Sequence, residues 1–370
     1  MRYNERHIFP GANTPIGFYS YYDNIVDRKN AVKMYCLKGG PGVGKSSYMK
    51  RIADVFAKEG ESIEYFHCSS DPHSLDGIRL CDREVVLVDG TAPHVIDPCY
   101  PAAVDEIINL GQFWYEREIK RHKDEIIATQ YNISYEFGRA YKYLSAAASI
   151  AEDTERIYAD ATDSEALNKA ANELVERIFT ESSPTFSKRV RRLFASALTP
   201  AGLVNYADTV LYDCKRVYGL LIGDNVGSFA GADEVMNRIV AEAGKRGYMC
   251  EAYYCPMKPV TRIEHIVIPQ LEVGITLLNK YNNDDTVATE IINLMECVNR
   301  ARVRGSADKI EENNGMYHSL LQTAQTSLKD AYWLHNTLES YYVPYIDFDR
   351  VSEHCTSTID AIKESFSDNE

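Results

Sequence analysis

The sequence predicts an α/β protein of two tandem parallel-sheet domains, each carrying a long helical appendage. Three observations predict it. A strand, a glycine-rich loop and a helix follow one another near the N-terminus. An internal repeat runs through the chain in constant order. Breaker-poor stretches rich in Ala, Glu, Lys, Ile and Tyr follow each predicted sheet.

The elements are justified in order. Val32–Leu37 is a short apolar run and reads as a buried strand. From Ser46 to Lys58, apolar Met49, Ile52, Ala53 and Phe56 recur at helical spacing, and Gly60 stops the pattern. Ile63–Phe66 and Val85–Val88 read as two further strands. Residues 102–180 predict long helices at 102–130, 132–158 and 164–180. The second half predicts strands near 216–222, 250–255 and 271–278, then helices from about 285 to 340 and 350 to 367.

The repeat has three matches. Arg6–Gly17 aligns with Arg191–Gly202, sharing Arg, Phe, Ala, Thr, Pro and Gly at fixed offset. Met49-Lys-Arg-Ile opens a segment ending at Cys68, and Met236-Asn-Arg-Ile opens one of equal length ending at Cys255. Glu106-Ile-Ile-Asn-Leu110 recurs as Glu290-Ile-Ile-Asn-Leu294. Shared order at nearly constant offset indicates duplication. The helix-breaking Ser182-Ser183-Pro184 places the boundary, giving domains 1–183 and 184–370 with appendages at about 102–180 and 285–367.

Gly39-x-x-x-x-Gly44-Lys45-Ser46 is a phosphate-binding loop in its expected context, after a strand and before a helix. Glycines let successive N–H groups turn inward as an anion nest, and the helix N-terminus adds positive potential. Lys45 is predicted to reach the β/γ-phosphates and Ser46 to bind Mg²⁺. The predicted nucleotide contacts are Gly39, Gly40, Pro41, Gly42, Val43, Gly44, Lys45, Ser46 and Ser47. Asp89 ends the strand Val85–Val88 and is the predicted second Mg²⁺ ligand. The fold class is thus α/β with tandem P-loop NTPase-like domains.

Gly90 stands where many motor ATPases carry a catalytic Glu, so the general base is open. Asp71 and Asp76, in the stretch after the second strand, and His94 are candidates, with Asp71 taken as the catalytic one. Asp71-Pro72 equally reads as a helix N-cap. Arg79 and Arg83 are candidate stabilisers of phosphoryl charge, or surface arginines.

The second copy lacks this machinery. In Gly223–Asp233, alignment at Gly227 puts Ser228 in the lysine position, and alignment at Gly231 puts Ala232 there. Its third strand ends at Asn279 without an Asp. Lys188–Arg192 is a basic cluster ahead of it, a charge sensor or a solvated linker. One Mg-nucleotide site is therefore expected, not two.

Leu37–Ser46, His67–Gly77 and Asp89–Pro98 together resemble a bacterial family of duplicated P-loop ATPase-like proteins, and the resemblance spans nearly the whole chain. It implies nucleotide binding and a cytoplasmic setting, under the labels ATPase or nucleotide kinase-like. In that family the second copy often keeps a recognisable phosphate loop, and this chain departs there.

Net charge is −14, which argues against general nucleic-acid or anionic-membrane binding. Nine cysteines without a CxxC pair read as reduced thiols of a cytosolic protein. No apolar run approaches a membrane span, and the N-terminus has no signal-peptide core. The expected cofactors are ATP, with GTP possible, and Mg²⁺; no NKxD-type guanine motif is evident, and adenine is usually read by shape and backbone, so the base preference is open. Three activities stay open: an ATPase coupled to movement of the helices or of a partner, a phosphotransferase to a small molecule or nucleotide, and a nucleotide-dependent binding module with negligible turnover. The ATPase is the preferred one.

Overall fold

The computed structural model describes residues 5–92, 96–180, 189–228, 231–279 and 288–367. The first half holds β1 (Glu5–Ile8), β2 (Gly11–Thr14), β3 (Gly17–Ser20), β4 (Lys33–Lys38), α1 (Lys45–Lys58), β5 (Ile63–His67), β6 (Leu75–Leu80), β7 (Val85–Asp89), β8 (Asp105–Asn109), α2 (Glu116–Ile119), α3 (Lys123–Ala161) and α4 (Ser164–Ile178). The second half holds β9 (Val190–Leu193), β10 (Ser196–Thr199), β11 (Gly202–Asn205), α5 (Ala207–Leu211), β12 (Arg216–Leu221), α6 (Ala232–Lys245), β13 (Cys250–Tyr254), β14 (Ile263–Ile268), β15 (Val273–Leu278), β16 (Glu290–Asn293), α7 (Arg300–Arg304), α8 (Ala307–Ser340) and α9 (Phe348–Ser367).

The two six-stranded sheets have the same plan. The first runs β1-β5-β6-β7-β4-β8 and the second β9-β13-β14-β15-β12-β16. Strand sense matches at every step. Even the irregularities recur: the β5–β6 register shifts between Phe66 and His67, and the β13–β14 register between Tyr253 and Tyr254. Buried Glu64 pairs with Arg6 at 3.2 Å and buried Glu251 with Arg191 at 3.1 Å, each tying the first two strands of its sheet. The architecture is a duplicated α/β one.

The sheets are mixed, which corrects the parallel sheets expected. β6 and β14 run antiparallel to both neighbours. The links 68–74 and 81–84 are too short for a parallel crossover, which needs a dozen residues or more. The helix expected at 102–130 contains β8, an edge strand on β4. Its exposed Glu106 and Ile107 give no clean alternation, so a helical reading competed. No break separates 130 from 132, because α3 is a single 39-residue helix. In the second half β16 and α7 occupy part of the helix expected from 285, whose first residues lie outside those described.

The two compact units are not the two halves. One comprises residues 3–10, 22–138 and 327–370, and the other 1–2, 11–21 and 139–326. The expected division at 183/184, which falls outside the described residues, is not where the contacts divide. The reason is helix length: α3, roughly 58 Å long at 1.5 Å per residue, has residues in both units. The halves therefore exchange their last helices. On the first sheet, α1 buries Met49, Ile52, Ala53 and Phe56, and Val351, Cys355, Ile359 and Ile362 of α9 join the same core. Their spacing makes one apolar stripe. In the other unit α4 buries Leu167, Leu174 and Ile178 and packs on α6.

His265 of β14 is fully buried in the second sheet. Its Nδ1 lies 2.8 Å from Thr276 Oγ1, and its Nε2 has no hydrogen-bond partner among the described residues. Burial presses its pKa down to about 3. Unfolded, it titrates near 6.5, so the unfolded chain binds more protons between those values and stability falls as pH falls through them. From pH 8 to pH 5 this group is expected to cost about 2 kcal/mol of stability. In urea denaturation, His265→Asn should lose less than the wild type over that interval by about this amount.

Candidate functional site

The loop 39–44 joins the C-terminal end of β4 to α1. Gly44 is the residue before the helix and sits at φ 90°; Gly42 is at φ 71°. Both are left-handed positions that strain any other residue. α1 begins at Lys45 with no side-chain cap and no acidic residue in its first turn. Its first N–H groups and partial positive charge are thus left for an anion.

Lys45 lies across the loop. Its Nζ donates to the carbonyls of Gly39 at 2.8 Å and Gly40 at 3.1 Å, and stands 3.5 Å from Asp89 Oδ2. β7 lies directly beside β4 in parallel, Leu37 opposite Asp89, which brings this carboxylate to the loop. Burial pushes the Asp89 pKa up, opposed by Lys45 and by hydrogen bonds from the Thr91 N–H and hydroxyl. The Ser46 hydroxyl accepts from Leu75 N–H at 3.0 Å, so the start of β6 is fastened to the helix N-terminus.

Asp76 is the residue skipped by the register of β6 against β5, where Phe66 faces Gly77 and His67 faces Leu75. A bulge redirects such a side chain. Asp76 is buried and accepts from the Tyr22 hydroxyl at 2.6 Å. Burial raises its pKa to about 6 against the lowering by Tyr22, Cys68 and Lys45. Asp71, by contrast, closes a turn: its carboxylate accepts from His73 N–H at 3.1 Å and the Ser74 hydroxyl at 2.8 Å. Residues 72–74 form a turn and not the helix that an N-cap would start. His94 lies outside the described residues.

Arg79 bridges Glu64 and Glu84 in the middle of the sheet. Arg83 pairs with Glu61 and stacks on Phe56. Neither is brought to the loop. Gly90 is closely approached by the end of the Lys38 side chain. A Cβ there would lie 3.0 Å from Lys38 Cε, and Lys38 Nζ donates to the Gly90 carbonyl at 2.6 Å.

Sequence reasoning missed Trp114 and the C-terminal contributors. Glu339 of α8 accepts from Gly42 N–H at 3.0 Å. Trp114 and Tyr342 pack against Gly40, Val343 against Gly42 and Phe348 against Gly44. One signal was available: Glu155 and Glu339 stand 184 positions apart, the offset that relates Glu106 to Glu290.

The second copy resolves its alignment. Gly231 precedes α6 at φ 76°, as Gly44 precedes α1. Ala232 is therefore the lysine equivalent and Asp233 the Ser46 equivalent. Leu277 lies opposite Leu220 in the register where Asp89 lies opposite Leu37, so no carboxylate is delivered. Phe229 and Ala230 of this loop lie outside the described residues, as does Lys188 of the basic cluster. Asp233 is held by Arg262 at 2.8 Å, which also meets Glu155 at 3.0 Å.

A nucleotide with Mg²⁺ is what the sequence implies at the first loop. One observation tests the fit: Gly42 N–H already holds a carboxylate oxygen, so the loop presents a donor to an anion. No group of three or more His, Cys, Asp or Glu with metal-holding geometry occurs among the described residues. No helix among them is long and apolar enough to cross a membrane. No protein-family model, curated protein or solved structure matches the chain.

Proposed function

We propose that the chain is a P-loop ATPase with one Mg-ATP site, at residues 39–47, and a second copy that does not bind nucleotide. The observation that carries this reading is the convergence of Lys45, the uncapped N-terminus of α1 and Asp89 at the ends of two adjacent parallel strands. The loop N–H groups and Lys45 would hold the phosphates, and Ser46 and Asp89 the Mg²⁺, directly or through water. When bound, the metal ion neutralises developing phosphate charge. GTP is the alternative nucleotide, and the setting is proposed to be cytoplasmic.

Asp76 is the better-placed base candidate than Asp71. It is buried within the electrostatic reach of Lys45, with a pKa near 6 suited to taking a proton at neutral pH. Phosphoryl transfer to an acceptor is the second reading. It is favoured by Gly90, which supplies no carboxylate where a water-orienting Glu would stand.

The test is phosphate release from Mg-ATP by the purified chain, with and without a panel of nucleoside and small-molecule hydroxyl acceptors. Phosphate release without acceptor supports the ATPase. A phosphorylated product makes it a kinase, and binding without turnover makes it a nucleotide-dependent module.

A further inference from the structure

Glu339 occupies a loop N–H that the nucleotide reading assigns to a phosphate oxygen. Its Oε1 accepts from the N–H of Gly42, the middle of the loop, at 3.0 Å. One hydrogen of one N–H serves one such acceptor well, so a phosphate on Gly42 and this carboxylate exclude each other. The surrounding contacts hold the carboxylate there. A Cβ on Gly42 would come within 2.6 Å of Val343 and 3.5 Å of Glu339 Cβ, so the end of α8 and the segment after it lie directly against the loop. Tyr115 N–H bonds to the Tyr345 carbonyl at 2.9 Å, and Asp347 N–H to the Phe113 carbonyl at 3.0 Å, docking the segment that follows α8. His335, one turn back on α8, stands 3.5 Å from Glu339 and holds its carboxyl below the usual range, with Gly42 N–H and Lys45 adding to the effect against burial.

The duplication shows what is particular here. Glu155, the equivalent residue, is neutralised by two cations: Lys258, and Arg262 at 3.0 Å. Among the described residues, the Glu339 carboxylate has only the histidine and the loop N–H within hydrogen-bond or ion-pair distance. A carboxylate held by a backbone N–H can be outcompeted by a polyphosphate; one locked between two cations is a fixed part of the core.

We infer that Glu339 is a built-in stand-in for a nucleotide phosphate, closing the loop until a nucleotide displaces it and the start of the 341–348 segment. This rests on the nucleotide-site reading above. Binding therefore includes the loss of a charge-assisted hydrogen bond, and removing that bond should tighten it.

The experiment is calorimetric titration of Mg-ATP into the full chain as wild type, Glu339→Gln, Glu339→Ala and Lys45→Ala, with circular dichroism melts of each. Trp114 emission in a Trp333→Phe background gives a second readout, since Trp114 packs on Gly40 beside Tyr342. Glu339→Ala, which removes the acceptor, is expected to bind Mg-ATP about tenfold more tightly than wild type, and Glu339→Gln, which keeps a neutral acceptor, more tightly than wild type by a smaller factor; nucleotide should shift Trp114 emission in the wild-type segment. Equal affinity across wild type and the Glu339 variants, or weaker binding by the variants, overturns the gate and leaves the nucleotide site standing. Failure of all four proteins to bind, with native melts, overturns the site reading itself and the gate with it.

Discussion

Lys45→Ala is expected to weaken Mg-ATP binding by at least about a hundredfold. Two charge-assisted hydrogen bonds to phosphate oxygens, each contributing about 1.5–3 kcal/mol, account for that factor. The variant has a second effect that must be separated from the first. Lys45 is the cation beside Asp89, and the two side chains are only 12% and 14% exposed. Without it, the Asp89 carboxylate keeps Thr91 but loses its counter-charge, at an expected cost of about 1–3 kcal/mol in the nucleotide-free chain. The double variant Lys45→Ala/Asp89→Asn removes the stranded charge. It should recover most of the stability, read by urea denaturation, and recover none of the binding, read by calorimetry. Recovery of binding would show that the single variant failed through its fold and not through a lost phosphate contact.

Arg262→Met is expected to be the most destabilising single change outside the hydrophobic core, by about 3–5 kcal/mol. Arg262 is 4% exposed and joins Asp233, in the first turn of α6, to Glu155 of α3. Burial opposes its charge, but the hydrogen bonds and charge of Asp233, then the charge of Glu155, more than offset this and raise its pKa. Methionine fills much of the volume but leaves Asp233 without its counter-charge and Glu155 with Lys258 alone. The loss therefore comes from unpaired charge more than from a cavity. Arg262→Met/Asp233→Leu should be less destabilised than Arg262→Met alone, because the carboxylate at the α6 N-terminus is removed with its partner. Guanidinium midpoints for the three chains decide it; a double variant worse than the single would show that packing, not charge, sets the cost.

These two predictions mark what separates the copies. Lys45 and Ala232 occupy equivalent positions after a left-handed glycine, and Ser46 and Asp233 follow them. In the first copy the helix N-terminus is left to an anion from elsewhere. In the second, the protein supplies its own carboxylate and an arginine to match.

The site's loop was legible in sequence because its determinants are local. A strand of apolar residues, glycines at positive φ and a 3.6-residue stripe in α1 all lie within about 25 residues. The duplication was legible for the same reason, since repeats leave short matching strings. β6 was not legible: Leu75-Asp-Gly-Ile-Arg-Leu80 alternates poorly because the Asp76 bulge interrupts its period. β8 was not legible because an edge strand with exposed Glu106 and Ile107 carries a weak pattern.

By itself, then, the sequence determined the strand–loop–helix unit, the place of Lys45 and Asp89, and the presence of two related halves. Tertiary structure decided which half completes which core, and that Glu339 closes a loop 297 positions away in the chain. The physical reason is that helix exchange depends on where long helices end in space. α9 carries the same kind of apolar stripe whichever sheet it covers, so its period names a buried face without naming the partner.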